Sequence, residues 1–435
     1  MMTAASAVAA VKGMLQPTHP VQAKWERIPA PPLPRSSHTL SVIAGRAYIF
    51  GGEISPREPV DNDMHIITLS SGDYQKVAAA GDIPEKRVGH TAAVIGERIF
   101  MFGGRGGKEM KPLQENGRVW IYDSRTDRWT FLDPVQGTPF PAARSYHASV
   151  AIEKPEPANV HPVAVNNGTE EPAIGTIAEG AKTDAGQGGH GTFFIHAGCP
   201  ESGRTGDLWG FDVRSRTWKE FPAGPGSPRG GTSIAVSKSR IYRYGGFNGT
   251  GEEGGKVDIL ELALTTFNDK SGSSEATVTA KGGWHTLDFE EEGMLHPGHR
   301  SVAGLHCITT GIGREYLVLL LGERDPSSQG HDGAGKFWDD VWVFQCPPLG
   351  MTGASFKDAA WQALGKETGE GLWSQVNVSD AEGKEGEDIH KLVPGERGWF
   401  ASSSLGDLDV SALVLWGGLN GKNEREDNGW ILRVE

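Results

Sequence analysis

Cysteine is scarce, with three residues in 435, Cys199, Cys307 and Cys346, and no Cys-x-x-Cys pair among them. That excludes a disulfide framework and a thiolate metal knuckle, and points to core thiols in a reducing, cytoplasmic compartment. Long apolar runs are absent as well. No stretch approaches the ~18 apolar residues of a membrane span, so no membrane partner is expected. The small-residue run Thr3–Val11 lacks the basic residues that precede a signal core, and residues 1–24 read as a disordered tail. Positive charge is in deficit, the formal net charge being −13, whereas a general binder of phosphate backbones needs a basic face, which excludes nucleic acid. Nucleophile elbow, phosphate loop and dinucleotide fingerprint are all missing.

Glycine and tryptophan are plentiful, at 61 and 13 residues. This fits an all-β chain with many tight turns and one heavy aromatic per repeat. The stretch Arg87–Trp129 sets the pattern. It opens on Arg-x-x-His-Thr, runs through Ile99–Phe102 to Gly103-Gly104, and continues after a polar loop with Val119–Asp123 and Trp129. Short apolar runs divided by Gly pairs and Asp/Ser turns read as antiparallel strands. One four-stranded sheet cannot bury both faces, so copies must stack.

The unit recurs from Arg35, Arg87, Arg144, Arg229, Arg300 and Arg397, which predicts six sheets at a period of ~50 residues. A Gly/Ala/Pro/Glu-rich insert, residues 153–190, interrupts the third and reads as disordered or a mobile flap. A Ser/Gly-rich insertion precedes Trp284 in the fourth, and a stretch of helical composition, Ala354–Leu364, interrupts the fifth. The sixth stops one strand short. The orphan strand Trp25–Ile28 is expected to pair beside Trp430–Val434 and close the ring, which removes two sheet edges. Residues 25–435 thus form one domain, expected to be a monomer.

Strand alternation puts the loops before each first strand and after each second strand at one mouth of the central channel. Arg35, Arg87, Arg144, Arg229, Arg300 and Arg397 head there, one per sheet. Six guanidinium groups would focus positive potential on a small anionic ligand or an acidic protein segment. The other use of such arginines is to tie sheets together through buried carbonyls and carboxylates. His38, His90 and His147 share one repeat position and read as packing residues between sheets, not ligands. Acid/base work by Glu323 or Asp325 at the mouth stays open.

The Gly pairs at 51–52, 103–104, 245–246 and 417–418, with Tyr122-Asp123…Trp129 and Phe211-Asp212…Trp218, resemble the kelch family of β-propellers. Ala197-Gly198 and Gly322-Glu323 are the departures. The loop Gly322–Phe337 resembles that of the plant specifier proteins, the nitrile-specifier and thiocyanate-forming kelch proteins. That resemblance implies an iron-dependent, specifier-like lyase or isomerase acting on unstable glucosinolate aglucones, with Fe(2+) held by Glu-x-x-x-Asp-x-x-x-His and arginines meeting the sulfate. Glu323 and His331 match at the right separation, but Ser327 stands where the family has Asp, leaving Asp325 or Asp332 as other candidates for the third ligand. A neutral hydroxyl is a poorer ligand than an anionic oxygen. Against this stands a non-catalytic protein–protein interaction module gripping an acidic partner segment, and for Glu323 and His331 a loop pinned by hydrogen bonds.

Overall fold

The computed structural model describes residues 21–156, 189–268, 274–330, 333–366, 368–379 and 393–435. Most of the expected tail, residues 1–20, and most of the expected insert, residues 157–188, lie outside them. Six antiparallel sheets stand radially around one axis. Blade 1 is Thr39–Ile43, Arg46–Phe50, Met64–Thr68 and Tyr74–Val77; blade 2 is Thr91–Ile95, Arg98–Phe102, Val119–Asp123 and Arg128–Leu132. Blade 3 runs Ala148–Ile152, Thr192–Gly198, Thr205–Asp212 and Thr217–Phe221. Blades 4 and 5 begin at Ser233–Ser237 and Gly304–Thr310, and their outer strands are His285–Asp288 and Trp373–Gln375.

Blade 6 combines Ala401–Ser404, Ala412–Trp416 and Gly429–Val434 with the N-terminal strand Gln22–Arg27, which pairs antiparallel with Ala23 opposite Val434 and Arg27 opposite Trp430. The closure is the one expected, beginning three residues earlier than Trp25. Asn377–Ser379 adds a parallel strand outside it and covers the edge. The insertion in blade 4 is a hairpin extension, in which Lys256–Asn268 outruns its blade and pairs back with Ser274–Ala280. The helical stretch of blade 5 forms the helix Gly353–Ala363.

Sheets buried on both faces need apolar residues on both, and runs such as Ile99–Phe102 and Leu317–Leu320 are buried throughout. Among the described residues the buried apolar side chains fall into six clusters, one in each seam between neighbouring blades. The seams are also stitched by backbone. In each blade the second residue of the Gly pair donates its N–H to the carbonyl of the next blade's repeat arginine. The bonds run from Gly52 to Arg87, Gly104 to Arg144, Gly198 to Arg229, Gly246 to Arg300, Gly322 to Arg397 and Gly418 back to Arg35, at 2.8–3.0 Å. The position demands glycine, since a Cβ on Gly52 at φ +89° would sit 2.6 Å from the Ser36 carbonyl oxygen. This register corrects the expectation for blade 5. Its pair is Leu321-Gly322, not Gly322-Glu323, with Leu321 held at φ 50°.

Candidate functional site

The six repeat arginines are buried, none more than 7% exposed. Each reaches back to the first carbonyl of its own blade's pair: Arg35 to Gly51, Arg87 to Gly103, Arg144 to Ala197, Arg229 to Gly245, Arg300 to Leu321 and Arg397 to Gly417, at 2.8–3.2 Å. A buried guanidinium also needs a counter-charge. Arg87 forks onto Glu115, Arg144 onto Asp207 and Arg300 onto Asp340. The same acids accept from the indoles of Trp120, Trp209 and Trp342. Arg229 and Arg397 lie 3.6 and 3.7 Å from Glu253 and Glu426, and Arg35 meets His65, which Asp61 backs. The arginines expected to line the mouth as an anion site are therefore a structural collar, because their terminal nitrogens are directed to groups of their own blades.

Two residues beyond each collar arginine the chain turns left-handed, at Ser37, Gly89, Tyr146, Gly231, Val302 and Trp399, with φ from 46° to 63°. Their peptides form a closed belt around the axis. Ser37 N–H donates to Trp399 O, Gly89 to Ser37, Tyr146 to Gly89, Gly231 to Tyr146, Val302 to Gly231 and Trp399 to Val302, at 2.7–3.3 Å. Tyr146 and Trp399, from opposite blades, meet edge to face across the axis with centroids 5.2 Å apart. Gly89 makes room for this, since a Cβ there would fall 2.6 Å from the Tyr146 ring. The two aromatics floor the mouth. His38, His90 and His147 lie beneath it, buried, with His90 and His147 edge-on to Phe50 and Phe102 of the preceding blades. Burial holds all three well below the usual imidazole range, His147 at about 3. They are packing residues, as the repeat position implied.

Above the floor is a cavity of about 450 Å³. Its walls come from a repeat position that reading for arginines overlooks, the residue directly after each Gly pair: Glu53, Arg105, Cys199, Phe247, Glu323 and Leu419, all of which line it. Each forms a backbone bridge to the residue after its own blade's collar arginine, for example Ser301 with Glu323. Counting forward from the pairs would have found them. Arg204 and Arg425, which also line the cavity, sit in loops with no fixed repeat position.

Three guanidinium groups line the cavity. Arg105 donates from Nε to Ser145 Oγ and lies 5.7 Å from the Tyr146 ring centroid. Arg204 lies 4.8 Å over Phe247, and its buried Nε has no partner among the described residues. Among the described residues neither is within ion-pair distance of a carboxylate. Arg425 pairs with Glu53 at 3.1 Å. Carboxyls stand among them, Glu53 and Glu323 on the cavity wall and Glu252 next to it. Burial pushes Glu323 up to about 7 against a hydrogen bond from Trp399. Glu252, held by Ser301 Oγ at 3.2 Å, is pushed up to about 8 by burial, with Glu323 and Asp325 adding to it. An anion held by the arginines would share the mouth with groups able to hold or release a proton near neutral pH.

Of the candidate metal ligands, Glu323 and Ser327 line the cavity. Asp325 is exposed and lies 3.5 Å from Lys336, while His331 and Asp332 lie outside the described residues. No group of three His, Cys, Asp or Glu side chains among the described residues could hold a metal ion. Ferrous iron takes imidazole and carboxylate together, and the neutral Ser327 hydroxyl is a poorer donor than the Asp that the specifier motif has there.

Six four-stranded blades with a two-ended closure define a β-propeller. A sequence profile of the KLHDC2/KLHL20/DRC7 Kelch-repeats domain matches residues 19–155, and with the Gly pairs and the six blades this makes the chain a kelch-repeat β-propeller. N-(sulfonatooxy)prop-2-enimidothioate sulfolyase of Thlaspi arvense is 23% identical over 418 residues, 95% of this chain and 96% of that protein. Kelch domain-containing protein 3 of Homo sapiens is 24% identical over 248 residues, 54% of this chain and 54% of that protein, so the chain matches about half the length of that relative. The solved structure of YjhT superposes with a TM-score of 0.54 at 14% identity, covering 92% of this chain and 95% of that one, a likeness of fold alone. Among the described residues no helix is long and apolar enough to cross a membrane.

Proposed function

We propose that the protein binds a small anionic, sulfur-containing compound in the mouth cavity, held by Arg105, Arg204 and Arg425, and acts on it there as a specifier-like enzyme. The observation that carries this reading is the pair Arg105 and Arg204, two guanidinium groups without an ion pair among the described residues, on the wall of a cavity floored by Tyr146 and Trp399. Guanidinium forks match sulfate and carboxylate oxygens in pairs. The name of the Thlaspi arvense relative describes a sulfolyase and a sulfonatooxy-bearing imidothioate, which supports a sulfated ligand. Free thiols at Cys199, Cys307 and Cys346 support a cytoplasmic location.

Calorimetric titration with sulfate and with phenyl sulfate tests the site. Saturable binding by the wild type, lost in Arg105→Ala with the fold intact, is the expected result. Absence of binding at millimolar ligand overturns it. A second reading, in which the same arginines grip an acidic segment of a partner protein, draws support from the likeness to Kelch domain-containing proteins. Turnover of a sulfated compound separates the two.

A further inference from the structure

Blade 6 departs from a pattern that blades 3 and 5 share. Two residues before the tryptophan of their third strands stands an aspartate, Asp207 before Trp209 and Asp340 before Trp342, which forks onto the collar arginine and accepts from the indole. In blade 6 that place is held by Asn428, whose neutral Oδ1 accepts from Arg397 Nη1 at 3.1 Å and from the Trp430 indole at 2.8 Å. The hydrogen bonds are kept and the charge is lost. Glu426 stands off at 3.7 Å from Arg397 Nη2 and accepts from Asn428 Nδ2 at 3.2 Å. The guanidinium is short of partners as well. Nε of Arg87, Arg144, Arg229 and Arg300 donates to the carbonyl two residues earlier at 2.9–3.0 Å, whereas Nε of Arg397, a residue 2% exposed, has no partner among the described residues. Arg35 Nε shares that lack, but Asp61 stands behind the His65 that Arg35 meets.

Arg397 lines a second cavity, of about 640 Å³, which shares no lining residue with the mouth cavity. Its buried lining is Arg397 with Trp25 and Trp430, and Val393 and Pro394 add apolar wall. The exposed lining carries both signs, Arg27 and Lys422 against Asp339 and Glu396. Charge is thus matched at the rim and unmatched at the buried end. Burial pulls Arg397 down to about 10, so it is a cation at neutral pH. A buried cation without a forked counter-charge is costly to keep, and a ligand that brings the charge recovers that cost. We propose that this cavity binds a small organic carboxylate, which supplies to Arg397 the negative charge that an aspartate supplies in blades 3 and 5. The guanidinium edge matches two carboxylate oxygens, and the apolar wall takes the hydrocarbon part of the ligand. The site stands apart from the mouth and depends on no ligand there.

Calorimetric titration of the full chain with benzoate should show saturable binding that survives Arg105→Ala. Asn428→Asp, which builds the aspartate of blades 3 and 5 into blade 6, should weaken that binding about tenfold or more with circular dichroism unchanged. Lys422→Ala at the rim should weaken it by less. Absence of saturable binding by the wild type overturns the proposal, and so does undiminished binding by Asn428→Asp. Binding abolished by Arg105→Ala overturns it as well, since the ligand then sits in the mouth. Binding that appears only with Asp380→Asn, Glu382→Gln, Glu385→Gln, Glu387→Gln and Asp388→Asn combined overturns a free ligand and assigns the counter-charge to this chain's own carboxylates.

Discussion

Two sets of arginines stand within one loop of each other and do different work. The collar arginines are buried, doubly anchored to a carbonyl and a counter-group of their own blade, and repeat with the fold. Arg105 and Arg204 stand on the cavity wall, are half-buried, lie against aromatic rings and have no ion pair among the described residues. Regularity across repeats marks the structural set and irregularity the set proposed to hold an anion. A group that every blade supplies solves a problem that every blade has.

The sharpest break between the sets is thermodynamic. Arg144→Ala leaves Asp207 and the Ala197 carbonyl without their partner, and urea unfolding should report a loss of about 3–5 kcal/mol, the cost of orphaning a buried charge. Equal stability of Arg144→Ala and wild type would erase the distinction.

Glu323→Gln probes the carboxyl wall. A carboxyl pushed up to about 7 in the folded state from an ordinary value of 4.5 stabilises the fold below pH ~4.5 relative to its effect above, and that contribution is lost as pH rises through about 7. The glutamine variant should therefore be more stable than wild type at pH 8 by about 1–3 kcal/mol and show little advantage at pH 5. Thermal unfolding at both values decides it.

Arg105→Ala should be the mirror image of Arg144→Ala. Anion affinity should fall about tenfold or more, equivalent to ~1.4 kcal/mol, while unfolding free energy moves by less than about 0.5 kcal/mol. The smallest effect concerns metal. Because Ser327 stands where the specifier motif has an anionic ligand, protein purified without chelator should hold well under one iron per chain, and His331→Ala should not change that content. Stoichiometric iron lost on His331→Ala would restore the ligand set implied by the specifier resemblance.

The strands were legible because the second strand ends on a Gly pair in four of the six blades, and the closure because blade 6 is one strand short. The misreading of blade 5 has a physical source. Leu321 occupies a left-handed position at φ 50° that glycine fills in four of the other blades, so the visible Gly322 suggested a register one residue late. The fate of the collar arginines was hidden for another reason. Their counter-charges come from beyond the second strand at unequal separations, 28 residues from Arg87 to Glu115, 63 from Arg144 to Asp207 and 40 from Arg300 to Asp340. No fixed spacing announces them. Arg204 and Arg425 were invisible for a similar reason, since loop length alone sets where they arrive.

The N-terminal strand Gln22–Arg27 is the first described strand a ribosome would release and the last able to find its neighbour, since Gly429–Val434 emerges some four hundred residues later. Blades 1 to 5 can form in the order they appear, but the seam between blades 5 and 6 stays open until blade 6 has emerged. Through that interval the nascent chain carries Trp25 and Ala23, both destined for a core, with nothing to cover them. Truncation within blade 6 would make that exposure permanent.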